Sequence, residues 1–395
     1  MTTLLPRLRD ASPLVRADAA FATAQSMRGE KLPLDIAGSQ VEGVLGALAG
    51  ALASERDLST VREIIRSIAR LPYERAEQVN RAEILVRQVL TLSNELSIAR
   101  GKQGSLRQGF DGQEGGGSAA AGGVAAAELL ARLHFKLSPP SDDLIASLRS
   151  HVKGQAPGVS SSEAPPPAAV LQALVAARGV DQDTLVFSLQ SQDDHLRRIA
   201  VTLLGGGASP ITGPDRVAYL RKAMTDSAFF VRYEAIRSYA RAHAKSDGCA
   251  PLTDMLNDSN PHVALAAIDA VGEACRGDDV ATLRIVSEAR TPPNKGSWHR
   301  EAHALVALAR LSPSHAEIPL RSQARHTVWQ VRMYAARAAA VLNDVQTLER
   351  LAEDDNDNVR EATLAPLKRL KGNAAEPHFI AALARGDYQL LLTAA

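Results

Sequence analysis

Apolar residues recur three and four positions apart along most of the chain, and short polar loops break the runs at a near-constant interval. That spacing predicts amphipathic helices, and runs alternating at period two, the mark of strands, are nearly absent. The stretch His326–Leu367 states the pattern twice: Trp329-Gln330-Val331-Arg332-Met333-Tyr334-Ala335 opens one helix and Asn358-Val359-Arg360-Glu361-Ala362 the next. A shorter helix, Val345–Ala352, and an acidic loop, Glu353–Asp357, lie between them. The same phrase begins at Val15-Arg16 and at Val61-Arg62, and the equivalent positions later in the chain are Leu196, Val231, Val263, His299, Val331, Val359 and Leu390. Their separations are 35, 32, 36, 32, 28 and 31 residues. Asp226, Asp258 and Asp354 stand five residues before the phrase, and Ala200, Ala235, Ala267, Ala335 and Ala394 stand four after it. Short first helices are expected at Pro214–Met224, Pro251–Leu256 and Val345–Ala352. A period near 32 with two helices per unit predicts a stack of helix pairs, each buried against its neighbours.

The same reading divides the chain. Residues 1–100 hold irregular repeats, with helices at Gly38–Ala53, at Ser59–Arg70 (capped by Ser59 or Thr60) and at Ala82–Ala99. Residues 101–123, GKQGSLRQGFDGQEGGGSAAAGG, read as a Gly-rich loop, because such a segment buries too little apolar surface to offset its ordering entropy. Residues 124–152 return to helix, with Ser141 as the cap of Asp142–Val152. Residues 153–167 read as a Pro/Ser-rich loop, and 168–395 as the regular array. The chain stops about a turn and a half into another second helix, which predicts a continuation beyond Ala395.

Composition changes this picture little. The chain carries 45 basic and 44 acidic residues, so no global field favours nucleic acid or anionic lipid. Aromatics are only 4%, which suits closely packed small-residue helices. Cys249 and Cys275 have no C-x-x-C or metal-like spacing, which argues against a zinc site or a disulfide framework. No apolar window is long enough for a membrane span, and no signal peptide is visible. The compartment is left open.

The most repeated polar residue is the arginine of the phrase: Arg16, Arg62, Arg197, Arg232, Arg300, Arg332 and Arg360. A planar fork that donates two hydrogen bonds to one carboxylate suits a ladder linking each arginine to Asp226, Asp258 or Asp354 of a neighbouring loop. A phosphate-binding groove is the competing use, but acidic loops interleave with the arginines and stacking aromatics are few. His299, Glu301 and His303 share one helix at a spacing two imidazoles can use for a metal, yet no third ligand is evident, and His299 is expected to be partly buried. Gly205-Gly206-Gly207 follows a helix and reads as its stop. No nucleotide fingerprint, nucleophile elbow or catalytic constellation is present, and no cofactor is expected. On the second helices, Tyr233, Arg237, Met333, Tyr334 and Arg337 are candidates for contact with a protein partner, being residue types enriched in interface hot spots. Tyrosines filling the seam between repeats are the alternative.

The Asp-x(4)-Val-Arg-x-x-Ala phrase resembles HEAT repeats, which implies an all-α, right-handed α-α superhelix. Within that class, W-Q-V-R-M-Y-A-A-R-A-A-A-V-L, N-D-N-V-R-E-A-T-L and R-G-D-Y-Q-L-L-L-T-A-A resemble the HEAT region of bacterial proteins that join such a solenoid to a C-terminal cyclophilin-type peptidyl-prolyl isomerase. The resemblance covers roughly residues 181–395. It implies a non-catalytic scaffold for protein partners, or the client-binding region of a larger isomerase whose catalytic domain would follow Ala395. Proteins of that family are often exported. A nucleic-acid handler such as a HEAT-like glycosylase, or a bilin lyase-like protein, is the second class of reading.

Overall fold

A computed structural model of the chain describes residues 3–29, 34–91, 119–155, 164–290 and 298–395. Among these residues there are helices and no strands. The chain divides into two compact units, residues 1–203 with 208–210, and residues 204–207 with 211–395. Each is a HEAT-like stack of helix pairs. The boundary falls inside the stretch expected as one regular array from 168 to 395.

In the first unit the helix Leu58–Arg70 is central, packing on Pro13–Gly29 and on Ala119–His134. Its Ile64, Ile65 and Ile68 are fully buried, each contributing about 2 kcal/mol by leaving water. Asp57 caps it, accepting from the Thr60 N–H, so the capping carboxylate lies two and three positions before the hydroxyls expected to do this, Ser59 and Thr60. Ser141 does cap Asp142–Val152. The Gly-rich stretch is helical from 119, while 101–118 lie outside the described residues, as do 92–100 of the helix expected over Ala82–Ala99 and 156–163 of the second loop. Gly122 and Gly123 are buried within Ala119–His134. A Cβ on Gly122 would come 2.7 Å from Cγ of Arg62, so these glycines permit close helix contact.

In the second unit the helices Phe229–Ala242, Pro261–Ala274, His299–Leu311, Trp329–Leu342, Asp357–Lys371 and Tyr388–Ala394 pack each on the next. Their partners Gly213–Ala223, Asp279–Arg290, Pro313–Gln323, Val345–Leu351 and Glu376–Leu383 lie alongside. The repeat phrase therefore marks the start of each second helix. Within this stack a Cβ on Gly272 would sit 2.6 Å from Cα and Cβ of Ala307. Asp194–Leu204 ends at the glycine triplet, as the sequence implies.

Two expectations are overturned. Cys249 and Cys275 form a disulfide, with Cα atoms 5.9 Å apart. The bond joins the residue before the short Ala250–Asp254 helix to the C-cap of Pro261–Ala274, closing one repeat on itself. A 26-residue separation between two positions that meet only when a helix pair folds has no local sequence signature. Second, His299 is exposed, while Glu301 is buried. The other second helices of this unit bury the third residue: Val231, Val263, Val331, Val359 and Leu390. Here the helix begins at His299, so the third residue is Glu301, and the register read from the sequence is two residues early.

Candidate functional site

Two of the expected arginine–aspartate pairs form as two-pronged forks. Arg232 donates from Nε and Nη2 to the two carboxylate oxygens of Asp258, at 2.7 and 2.8 Å. Arg332 does the same to Asp354, at 2.6 and 2.7 Å. In both, Nη1 turns back to two carbonyls of the arginine's own loop, Asp226 and Ser227 in one case, His326 and Thr327 in the other. One guanidinium thus fastens the loop before its helix to the loop of the next repeat. Each aspartate also accepts an N–H two residues on, from Asn260 or Asn356. The Arg232 fork holds the Asp258 carboxyl below the usual range. Burial would push Asp354 up, but Arg332 and the Asn356 N–H bring it below that range as well.

Of the other expected rungs, Arg16, Arg300 and Arg360 differ, each for a visible reason. Arg16 forms the same fork with Glu55, at 2.6 and 2.7 Å, and caps the Asp10 and Ala11 carbonyls. Its acid is a glutamate six residues before Val61, which a search for aspartate at minus five misses. Arg197 caps the Ser191 and Gln192 carbonyls of its own loop, as Arg232 and Arg332 do theirs. Arg360 binds the Ala352, Glu353 and Asp354 carbonyls, and the position where its forward acid would stand holds Arg385, itself paired with Asp357. Arg300 turns to Glu288 and to the Leu256 carbonyl, because the register shift places Ala302 where the ladder arginine belongs. The loop that would carry the acid for Arg62 falls within 92–118, outside the described residues.

The shifted repeat leaves an unusual joint. His326 occupies the loop position held elsewhere by Asp258 and Asp354, and its Nδ1 accepts the Val328 N–H. Its Nε2 lies 4.0 Å from Oε1 of Glu301. The Gln323 side-chain amide donates to the Glu301 carbonyl. Oε1 of Glu301 has no hydrogen-bond partner, and burial raises the Glu301 pKa above the ordinary carboxylate value. A group raised in this way favours folding fully below its ordinary value of 4.5, and that contribution is lost as pH rises through the folded value. Glu301→Val is therefore expected to raise the melting temperature at pH 7 and to change it little at pH 4. A loss of stability at pH 7 would show the carboxylate to be well compensated.

Where the loop rungs lapse, links appear midway along the second helices. His303 Nδ1–H donates to Asp269 at 2.8 Å, and the Tyr334 hydroxyl donates to His303 Nε2 at 2.8 Å. These three residues come from three successive helices. Arg310 pairs with Glu273 at 3.4 Å. The order Asp–His–hydroxyl is one that can polarise a nucleophile, but here each member ties one helix to the next. His299 stacks on Trp298, Glu301 faces His326 and His303 is held by Asp269 and Tyr334, so the three do not converge on a metal.

Of the candidate contact residues, Arg237 and Arg337 are exposed, while Tyr233, Met333 and Tyr334 are half-buried. Arg237 lies over the Tyr233 ring at 5.7 Å and Arg337 over Tyr334 at 4.7 Å. Tyr334 is thus partly a seam residue, committed to His303. The sequence reading missed Asp269 and His303 as its partners, because their pairing depends on the register of separate helices. Between Phe229–Ala242 and Pro261–Ala274 lies an open groove of about 510 Å³ with an alanine floor, lined by Tyr233, Arg237, Arg241 and Lys245 on one side and by Asp269 and Glu273 on the other.

Comparison with known proteins bears on the fold. Residues 182–272 match the family model for HEAT repeats. The chain matches none of the curated proteins with which it was compared. Among solved structures it is similar to Kap121p, at 12% identity and a TM-score of 0.56, over 100% of this chain and 44% of that one. The karyopherin Kap121p bound to the extreme C-terminus of the protein phosphatase Cdc14p gives a TM-score of 0.54 at 12% identity, over 100% of this chain and 44% of that one. The complex of CpcE and CpcF of phycocyanin lyase from Nostoc sp. PCC7120 is matched at 20% identity and a TM-score of 0.40, over 54% of this chain and 85% of that one. The chain spans less than half the length of the karyopherin it resembles. None of these matches is to a cyclophilin. The fold is an all-α, HEAT-like solenoid.

Proposed function

We propose that the chain is a non-catalytic scaffold that binds protein partners through the face formed by the second helices of residues 211–395. The observation that carries this is the division of labour among the polar residues. The arginines at the helix starts are committed to loops, so they serve architecture. Arg237 and Arg337, one and a half turns further on, remain exposed beside half-buried tyrosines. An exposed guanidinium on an aromatic ring is rigid, amphipathic and suited to a protein interface. A photo-crosslinking residue at position 337 or 237 should give discrete adducts in cell extract, and one at Leu283 or Ile318, exposed on first helices, should not. Adducts only from the first helices would overturn this reading. The client-binding role within a larger isomerase rests on sequence resemblance alone. A prolyl-isomerase assay on this chain is expected to be blank.

A further inference from the structure

We infer that the groove between Phe229–Ala242 and Pro261–Ala274 binds an extended acidic peptide whose carboxylates stand at alternate residues. This deepens the proposed function and rests on it. Arg237 and Arg241 stand four residues apart on Phe229–Ala242, and Lys245 follows on the short helix Ala244–Asp247, past a break at His243. Four residues of helix rise about 6 Å. Two residues of an extended strand span about 6.6 Å, and they bring side chains to the same side. The Arg237–Arg241 interval therefore matches two same-side carboxylates of an extended chain, and Lys245 lies beyond them on the same rim.

The charges on the rim are available. Arg237 and Arg241 approach Glu234 only loosely, at 3.9 and 3.6 Å, and their side chains are more than half exposed. Among the described residues, Lys245 has no ion pair or hydrogen bond. The opposite wall is different. Asp269 is held by His303, and Glu273 by Arg310. The next helix engages both of these acids, so the acid beside the basic rim is Glu234. Between the walls, Ala266 and Ala270 keep the floor low enough for a main chain to lie in the groove.

The same acids decide between two polyanions. A phosphate backbone, with one charge per residue and no donors of its own on the far side, would face Asp269 and Glu273 unfavourably. A peptide with its carboxylates on the basic rim turns its intervening side chains to that wall, whose carboxylates can accept from their hydroxyls.

The test is fluorescence anisotropy with the full chain. The probes are a fluorescein-labelled twelve-residue peptide alternating Glu and Ser, a peptide of the same composition with its six Glu in one block, and a labelled single-stranded oligonucleotide of twelve thymidines. The alternating peptide is expected to bind, at least threefold tighter than the block peptide and tighter than the oligonucleotide. Its affinity should fall tenfold or more in Arg237→Glu/Arg241→Glu and severalfold in the single variant Lys245→Glu. These residues are exposed, and unchanged circular dichroism would confirm that the variants fold. Equal binding of the two peptides, tighter binding of the oligonucleotide, or no binding of the alternating peptide would overturn the inference. Crosslinks from position 337 would survive any of these results, so the broader reading fails or stands separately.

Discussion

Replacing Arg332 with alanine is expected to destabilise the second unit by about 3 kcal/mol, the cost of leaving one partner of a largely buried ion pair without the other. The Arg332 and Asp354 side chains are 18% and 8% exposed, so the stranded carboxylate has little access to water. The His326 and Thr327 carbonyls lose their donor at the same time. Thermal unfolding should shift down by roughly 5–10 °C. The double variant Arg332→Met/Asp354→Leu should recover most of the loss, because an apolar pair of similar volume often matches a buried ion pair. The pH dependence has a definite sign. Asp354 titrates lower in the folded chain than its ordinary value of 3.8, so the rung is fully stabilising above that value and is lost as pH falls through the folded one. The Arg332→Ala deficit should therefore shrink in acid. A shift no larger than that of the surface variant Lys368→Ala would sink the architectural role of the ladder.

Loss of the Cys249–Cys275 bond is expected to cost a similar amount. Closing a loop of this length restricts the unfolded chain by about 3.5 kcal/mol in the chain-entropy account. Cys249→Ser/Cys275→Ser, or the native chain in excess dithiothreitol, should unfold at a lower temperature than the oxidised protein. A reduced and an oxidised sample that melt together would mean that the two sulfurs contribute only packing. The bond is also informative about the cell, because disulfides persist mainly in oxidising compartments. Non-reducing mass spectrometry of protein taken directly from its source would establish whether it is formed there.

The repeat was legible because its period rests on helix amphipathicity, which sequence encodes locally. The rungs Arg232–Asp258 and Arg332–Asp354 could be anticipated for the same reason: each partner sits at a fixed distance from a buried valine. What could not be read depended on where a helix starts. Between Val263 and Val331 the helix begins at His299, and this displaces the buried position to Glu301 and the arginine position to Ala302. Nothing local announces that shift. The Asp269–His303–Tyr334 links and the disulfide were hidden because their partners meet only through tertiary packing. Arg16 was identified, but its partner Glu55 was not, since a longer side chain one position earlier reaches the same point.

The placement of the rungs has a mechanical consequence. In a stack where each repeat touches only its neighbours, stiffness is set joint by joint. The joints held by Arg232–Asp258 and Arg332–Asp354 are pinned at their loop edge. The two joints from Pro261–Ala274 through His299–Leu311 to Trp329–Leu342 lack that fork: Arg300 reaches the Leu256 carbonyl by a single bond, and the Asp269–His303–Tyr334 links lie midway along the helices. A pin at the rim resists gaping with a longer lever arm than a stitch near the middle. Under tension applied through the ends of this unit, those two joints should open first, and the groove bordered by Pro261–Ala274 lies at the edge of that compliant stretch.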